Sequence, residues 1–299
     1  MTYKNSVKIM ANNFSLCWKQ LVWIIISVLA VIGISLLCAT PVIEMLEKNG
    51  FFVAFKDSFE TIYSSPKDYP TTVGDVFNLF CNLISSNAGA LWPSYVAAIF
   101  SFIFLGNLFG CVGSYACSCV LYERMSSNSR ASYTKRLIAT LGRSILYSLV
   151  AFLFAIPFFA VVVGILVLYV NLATSTLLSL VLLPIATMIV YVILALHLSL
   201  TCTTIPKMLD GTKNPFKALG RSMKSASKRF GRQFSSSLLI VLTVVFANLF
   251  IGFFTILSGL IITIPATVVL VSAYGLVTHF ATENRNFYVS DLVVASLKD

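Results

Sequence analysis

His197, Thr201 and Thr204 stand four and three residues apart, a spacing that sets an imidazole and two hydroxyls on one face of a helix. They fall in or at the end of a stretch, 144–206, that holds no Asp, Glu, Lys or Arg. Two amides, Asn107 and Asn248, lie mid-way along other uncharged stretches. In such surroundings polar side chains either bond between helices, for about 0.6–2 kcal/mol each, or line a polar pocket. Interhelical bonding is the plainer reading for the two asparagines. His197 is either a satisfied interior histidine or lines a pocket with Thr201. No carboxylate accompanies these groups, so a proton relay or ion pump, which needs an ionisable pair, is disfavoured.

Cys111, Cys117 and Cys119 could bind a metal or carry a lipid, but their spacing matches no standard zinc pattern. All seven cysteines read more simply as small hydrophobes, and their odd number gives no disulfide framework. There is no glycine-rich phosphate loop, no HExxH and no Ser–His–Asp set; the two histidines are His197 and His279, and the acids lie in loops. No enzyme and no cofactor is expected.

The elements that carry these residues are set by hydrophobicity. The chain has 299 residues, 58% of them hydrophobic and 11% charged, and its charge-free stretches are 20–43, 76–122, 144–206 and 233–282. A soluble domain needs a charged outer face. A helix crossing the bilayer needs about 20 apolar residues, and these stretches lack the alternation of a membrane barrel. The reading is an all-α polytopic membrane protein with six transmembrane helices and a single membrane domain. The spans are about 21–42, stopped by Pro41 and Glu44; 91–122, starting after Asn87-Ala88-Gly89; 144–170 and 176–204, parted by Asn171–Ser175; and 235–257 and 260–281, parted near Ser258-Gly259. The first span follows a polar start and is read as retained rather than cleaved.

Basic residues orient the spans. Eighteen of the 21 lie in the N-terminal segment, the loops after spans two and four, and the C-terminal tail; only Lys48, Lys56 and Lys67 lie on the other side. Both termini are therefore expected in the cytoplasm of a bacterial cell, and 43–90 outside. That outer loop shows helical spacing at Val73, Val76, Phe77, Phe80 and Ile84, which implies one or two short surface helices. The net charge of +10 follows from this topology, and nucleic acid is not an expected partner.

Each odd-numbered span follows a basic, partly apolar lead-in: Ser6–Met10, Ser132–Leu137 and Ser222–Phe230. The chain thus reads as three hairpins, each opened by an interfacial elbow. The sharpest elbow spans about 215–232. Asn214 can cap it and Pro215 suits its first turn. Phe216, Leu219, Met223, Ala226 and Phe230 fall on one stripe, with Lys217, Arg221, Lys224 and Lys228 roughly opposite and Arg229 and Arg232 at its end. Such a helix lies in the membrane interface against anionic lipid, or docks a cytoplasmic ATPase or another membrane subunit. Within span two, Gly106 and Gly110 form a GxxxG continued by Gly113, which predicts one tightly packed helix face.

The segments 202–211 (CTTIPKMLDG) and 216–222 (FKALGRS) resemble the six-helix membrane domain attached to some bacterial glycerophosphodiester phosphodiesterases, and related stand-alone bacterial membrane families. The resemblance implies a span ending in Pro, a polar turn and an amphipathic helix leading into span five. The catalytic barrel of those enzymes is missing, so no activity and no functional residue carries over. The expected role is membrane-embedded binding, assembly or lipid organisation; the alternative is the permease subunit of a transporter for a neutral or amphipathic solute, driven by a separate ATPase.

Overall fold

A computed structural model describes residues 2–64, 69–129, 131–172, 176–289 and 292–294. Its helices are α1 (Thr2–Asn12), α2 (Ser15–Lys48), α3 (Phe51–Ser64), α4 (Tyr69–Ser127), α5 (Tyr133–Leu172), α6 (Thr176–Thr201), α7 (Thr204–Leu209), α8 (Pro215–Lys228), α9 (Phe230–Phe254) and α10 (Leu260–Thr282). A short antiparallel ribbon of β1 (Phe287–Val289) and β2 (Leu292–Val294), absent from the sequence reading, follows them. Among the described residues six helices are long and apolar enough to cross a membrane: α2, α4, α5, α6 continuing into α7, α9 and α10. Large apolar side chains point outward along them, with Leu37 74% and Phe253 81% exposed. The chain is an all-α polytopic membrane protein.

Several helix ends differ from the sequence reading because local groups repair what should have broken them. Pro41 lies inside α2 and does not stop it. Its ring removes the bond to the Leu37 carbonyl, and Thr40 Oγ1 donates to that carbonyl at 3.0 Å instead. The helix ends at Lys48, and Gly50 just beyond it has a φ of 69°, the left-handed cap conformation that glycine adopts freely. Asn87-Ala88-Gly89 does not begin span two either. Asn87 Nδ2 donates back to Leu83 O at 2.9 Å, and α4 continues through it. Helix α4 runs for 59 residues, about 90 Å, so much of it must lie beyond a hydrocarbon layer of about 30 Å. The 43–90 segment is thus built from extensions of α2 and α4 with α3 between them.

The lead-in to span three is the first turn of α5, continuous with it, whereas α1 and α8 are separate elbows. The break between α5 and α6 includes 173–175, which lie outside the described residues, as do Lys67, Arg130 and Lys298 and the side chain of Val73. The α9–α10 turn places Ile256 and Leu257 at φ 50° and 68°, a left-handed conformation that is costly for a β-branched residue. Gly259 closes it where a Cβ would overlap Ile251 and Thr255.

The chain divides into two compact units where the sequence reading has one domain; the divisions fall within α2 and α4. In the unit 26–106, Ser35 and Ser101 hydroxyls meet at 3.3 Å, and Phe51 packs on Phe55 and Phe80 with ring centroids 5.9 and 5.5 Å apart. The other unit, 1–25 with 107–299, is organised around α10. Half of the apolar window of α10 is buried, against at most 22% in any other span. Its Val269, Ala273, Leu276, Val277 and Phe280 pack with Ile9, Leu16, Cys117, Leu121, Met125 and Tyr133. Ile240, Leu270 and Tyr274 form a second cluster with Tyr3 and Val7 of α1, and Tyr3 OH meets Thr243 Oγ1 at 3.1 Å.

The GxxxG expectation is corrected. A Cβ at Gly106 or Gly110 would meet nothing within 4 Å, whereas one at Gly113 would stand 2.5 Å from Trp23 Cδ1 and 2.7 Å from Gln20 Nε2. Close approach is needed at one glycine of the three, because Trp23 crosses α4 there and donates Nε1–H to Phe109 O at 2.9 Å. Gly113→Ala should lower the apparent melting temperature in detergent by the equivalent of roughly 1–3 kcal/mol, the usual scale of overpacking. Gly106→Ala should leave it unchanged or raise it slightly, since alanine is the better helix former. Scanning fluorimetry of the two variants side by side checks the assignment; equal losses would contradict it.

Candidate functional site

The basic elbow is built onto the end of α6. Helix α6 breaks at Cys202-Thr203, and Pro206 lies just beyond, where its missing N–H leaves the Cys202 carbonyl without a helical donor. The exposed carbonyls are taken up by the next two elements. Ser222 Oγ of α8 donates to Leu200 O at 2.7 Å and meets Thr203 Oγ1 at 2.7 Å. Gln233 Nε2 of α9 donates to Ser199 O at 2.6 Å. The Cys202 carbonyl lies against Gly275, where any Cβ would overlap it. These bonds pin α8, α9 and α10 to one corner.

Helix α8 starts as expected: Asn214 Oδ1 accepts from Phe216 N and Lys217 N at 2.9 and 3.3 Å, with Pro215 in the first turn. Its faces differ from the two-sided reading. Pro215, Ala218, Ser222 and Ala226 are buried against the protein, because small side chains allow the close approach that Ser222 needs. Phe216 (60% exposed), Met223 and Phe230 point outward. Lys217, Arg221, Lys224 and Lys228 form a third, basic face. Ala226 therefore belongs with the packed stripe and not with the phenylalanines.

Below the basic face lies a cleft of about 410 Å³, lined by Lys207, Arg221, Lys224, Ser225, Lys228, Arg229, Thr282 and Glu283. Among the described residues five cations share it with one carboxylate. Lys207 forms its floor: its side chain is only 11% exposed, and Nζ donates to Arg221 O and Ser225 Oγ at 3.2 Å each and lies 3.9 Å from Glu283 Oε1. Arg221 donates to Thr212 Oγ1 at 2.8 Å and Arg229 to Ala281 O at 3.4 Å, so both guanidinium groups are held by neutral oxygens that leave their charge uncompensated. Lys217 is exposed, and it and Arg232 lie outside the cleft.

Beside the cleft, Asp210 gathers three segments distant in sequence. Arg285 grips its carboxylate with two bonds, 2.7 and 3.0 Å, the fork geometry that favours Arg over Lys. Tyr122 OH donates to it at 3.1 Å, and His279 Nε2 lies 3.6 Å away. Partial burial pulls the Asp210 carboxyl upward, but the bonds and charge of Arg285 outweigh it and hold the group below the ordinary carboxylate value. Glu123 pairs with Arg136 nearby. The ends of α4 and α5, the α7–α8 corner and the C-terminal segment thus meet at one end of this unit.

A second space lies within the apolar part of the same unit. It measures about 350 Å³ and is lined from α4 by Asn107, Gly110, Cys111, Ser114 and Ser118, with Tyr147, Thr201, Pro206, Thr267 and Ser272 among the groups facing them. Asn107 Nδ2 donates across to Ser148 O at 3.0 Å. Asn248 instead ties α9 to α10, accepting from Thr263 Oγ1 at 2.6 Å and donating to Thr267 Oγ1 at 3.2 Å. His197 does not line this space with Thr201. Its ring packs on Phe154 and Phe158, with centroids 5.8 and 4.9 Å away, and its Nε2 is buried without a hydrogen bond. Thr201 Oγ1 donates to the His197 carbonyl at 2.9 Å, and the break after it separates Thr204 from the expected face. Cys117 is in the core, Cys111 at the cavity, and Cys119 beside Glu123. Among the described residues no group of three His, Cys, Asp or Glu could hold a metal.

Sequence reasoning treated Lys207 and Arg285 only as topological charges and passed over Asp210, Glu283 and Ser118. One signal was present: Asp210 is the sole acid between 205 and 234, and an isolated carboxylate in a basic loop needs a reason. Compared with protein families, curated proteins and solved structures, the chain matches none.

The Asp210 value is depressed in the folded state. Its stabilisation is therefore present above the unfolded carboxylate value of about 3.9, and is lost as pH falls through the lower folded value. Asp210→Asn should lower the apparent melting temperature at neutral pH, and the gap to wild type should close only below about pH 4. A gap that closed between about pH 6 and 8 would assign the dependence to His279.

Proposed function

We propose that this membrane protein is non-enzymatic and holds anionic lipid headgroups under α8, on the cytoplasmic side of a bacterial inner membrane. The observation that carries the reading is the three-way division of α8. A packed face fixes the helix, Phe216 and Met223, with Phe230 at the start of α9 beyond them, offer an apolar side for acyl chains, and the basic face opens on a cleft short of carboxylates among the described residues. A helix of that design lies at the boundary of headgroups and hydrocarbon. The cytoplasmic assignment rests on the eighteen basic residues of one side, and is supported by the meeting of basic segments at one end of the unit. The resemblance of 202–222 to a phosphodiesterase-linked membrane domain agrees with a lipid-facing role for this corner and brings no activity with it.

The permease reading keeps one favourable observation, the uncharged cavity inside the membrane region. Against it, α8 is clamped to its own chain by Ser222 and lines a cleft with Arg221, Lys224 and Lys228, which suits a small anion better than docking to a cytoplasmic ATPase.

In nanodiscs of mixed phosphatidylglycerol and phosphatidylcholine, the wild-type chain should enrich the anionic lipid around itself. Replacing Arg221, Lys224, Lys228 and Arg229 by Gln should reduce that enrichment several-fold, since each basic residue contributes up to about 1 kcal/mol. Native mass spectrometry of released particles reads the ratio. Unchanged enrichment, with loss of a stoichiometric ATPase from mild-detergent purifications, would replace this proposal with the permease one.

A further inference from the structure

The cavity beside α6 has features of a built site that the anionic-lipid reading does not use. Ser118 is only 2% exposed and lines it, yet among the described residues its hydroxyl has no hydrogen-bond partner. Ser101, Ser144, Ser148 and Ser199 all donate to the carbonyl three residues back, the usual way a helical serine satisfies itself in an apolar setting. Ser118 is aimed into the cavity instead. Tyr147 likewise brings its ring to the wall and its hydroxyl to no partner among the described residues.

The lining has a direction. Asn107, Gly110, Ser114 and Ser118 follow one another at three- and four-residue steps, so they form a single stripe on α4. Thr267 and Ser272 of α10 and Thr201 of α6 add further hydroxyls, and Leu198, Ile205, Val268 and Val271 complete an apolar wall. Among the described residues no Lys, Arg, His, Asp or Glu lines the space. A charged ligand would lie there without a counter-ion in a medium where that is costly. The volume is at the lower end of the range for small-molecule sites.

We propose that this cavity binds an uncharged, hydroxyl- or ester-bearing molecule of the diacylglycerol type, whose polar atoms meet the serine stripe while its apolar part lies against the wall. The site is independent of the basic cleft. The two share α7, whose Pro206 lines the cavity and whose Lys207 floors the cleft, and α10, which lines the cavity with Thr267 and Ser272 and reaches the cleft only with its last residue, Thr282.

Gly110 supplies the test. A Cβ there meets nothing within 4 Å, so Gly110→Leu fills the cavity from a helix that tolerates the change. The probe is a diacylglycerol with a diazirine near the glycerol, in phosphatidylcholine nanodiscs, with labelled peptides mapped by mass spectrometry. Wild type should be labelled within 107–118 and 267–272. Gly110→Leu should lose about tenfold of that labelling, about 1.4 kcal/mol of binding, with an unchanged melting temperature. Ser118→Ala, which removes only the free hydroxyl, should weaken labelling without filling the space, and serves if the leucine variant fails to fold. Unlabelled dioleoylglycerol should compete and phosphatidate should not. Competition by millimolar glycerol would assign the same polyol chemistry to a soluble solute instead of a lipid. Labelling unchanged in both variants, or displaced better by phosphatidate, would overturn the proposal. The Gln variants of the basic cleft should leave this labelling unaltered, which separates the two readings.

Discussion

A backbone carbonyl at the end of α6 cannot go unpaired in an apolar setting, and the way these carbonyls are satisfied dictates the rest of the corner. An unmet buried acceptor costs about 1–3 kcal/mol. The break at Cys202-Thr203 exposes the carbonyls of Ser199 and Leu200, and Gln233 and Ser222 reach them from two different helices. A bond from the middle of α8 requires that helix to lie close, which only small residues at 218, 222 and 226 permit. Once α8 is pinned, its rotation is fixed. Arg221, Lys224 and Lys228 must then face the floor made by Lys207, and Phe216 must face out. The charge arrangement is a consequence of a hydrogen-bonding demand placed elsewhere.

The same demand explains where sequence reasoning succeeded and where it did not. Six long helices follow from hydrophobic length, because no other element satisfies its own backbone in lipid. The Asn214–Pro215 start of α8 was equally legible, since capping is a local interaction. Failures came where one side chain silently repaired a break. Thr40 stands in for the donor that Pro41 lacks, and Asn87 bonds back to its own helix; both residues have breaker chemistry and neither breaks anything. The glycine stripe failed for a different reason. Gly106, Gly110 and Gly113 are alike in sequence, but only Gly113 has Trp23 opposite it, and a partner on another helix leaves no local trace.

The site itself was half legible. Its cations were found through their periodicity within α8. The residues that give the cleft its shape were not, because Arg285 reaches Asp210 across 75 positions and Tyr122 across 88. Asp210 matters to the cleft by what it removes. It ties up Arg285 in a fork and draws His279 toward itself, leaving Glu283, among the described residues, as the one carboxylate lining the cleft with Lys207, Arg221, Lys224, Lys228 and Arg229. Without an anion these cations repel one another at short range. Coulomb energy falls with distance and dielectric, so the repulsion is tolerable at a wet headgroup boundary and would not be deeper in the protein.

That contrast gives α7 its role as a divider. It is six residues long, and its sequence changes character in one step, from Ile205 and Pro206 to Lys207. The first two turn to an uncharged cavity, and the third to a strongly cationic cleft. A regular continuation of α6 would have carried a single apolar face past this point. Because Pro206 forbids that continuation, the chain turns, and adjacent residues are delivered to opposite environments. Lys207 can be nearly buried there because its ammonium is held by the Arg221 carbonyl and Ser225 hydroxyl at the cleft side, so no charge has to enter the neutral cavity behind it. The two spaces therefore keep their different charge side by side, and the proline that interrupts the span is the residue on which that separation depends.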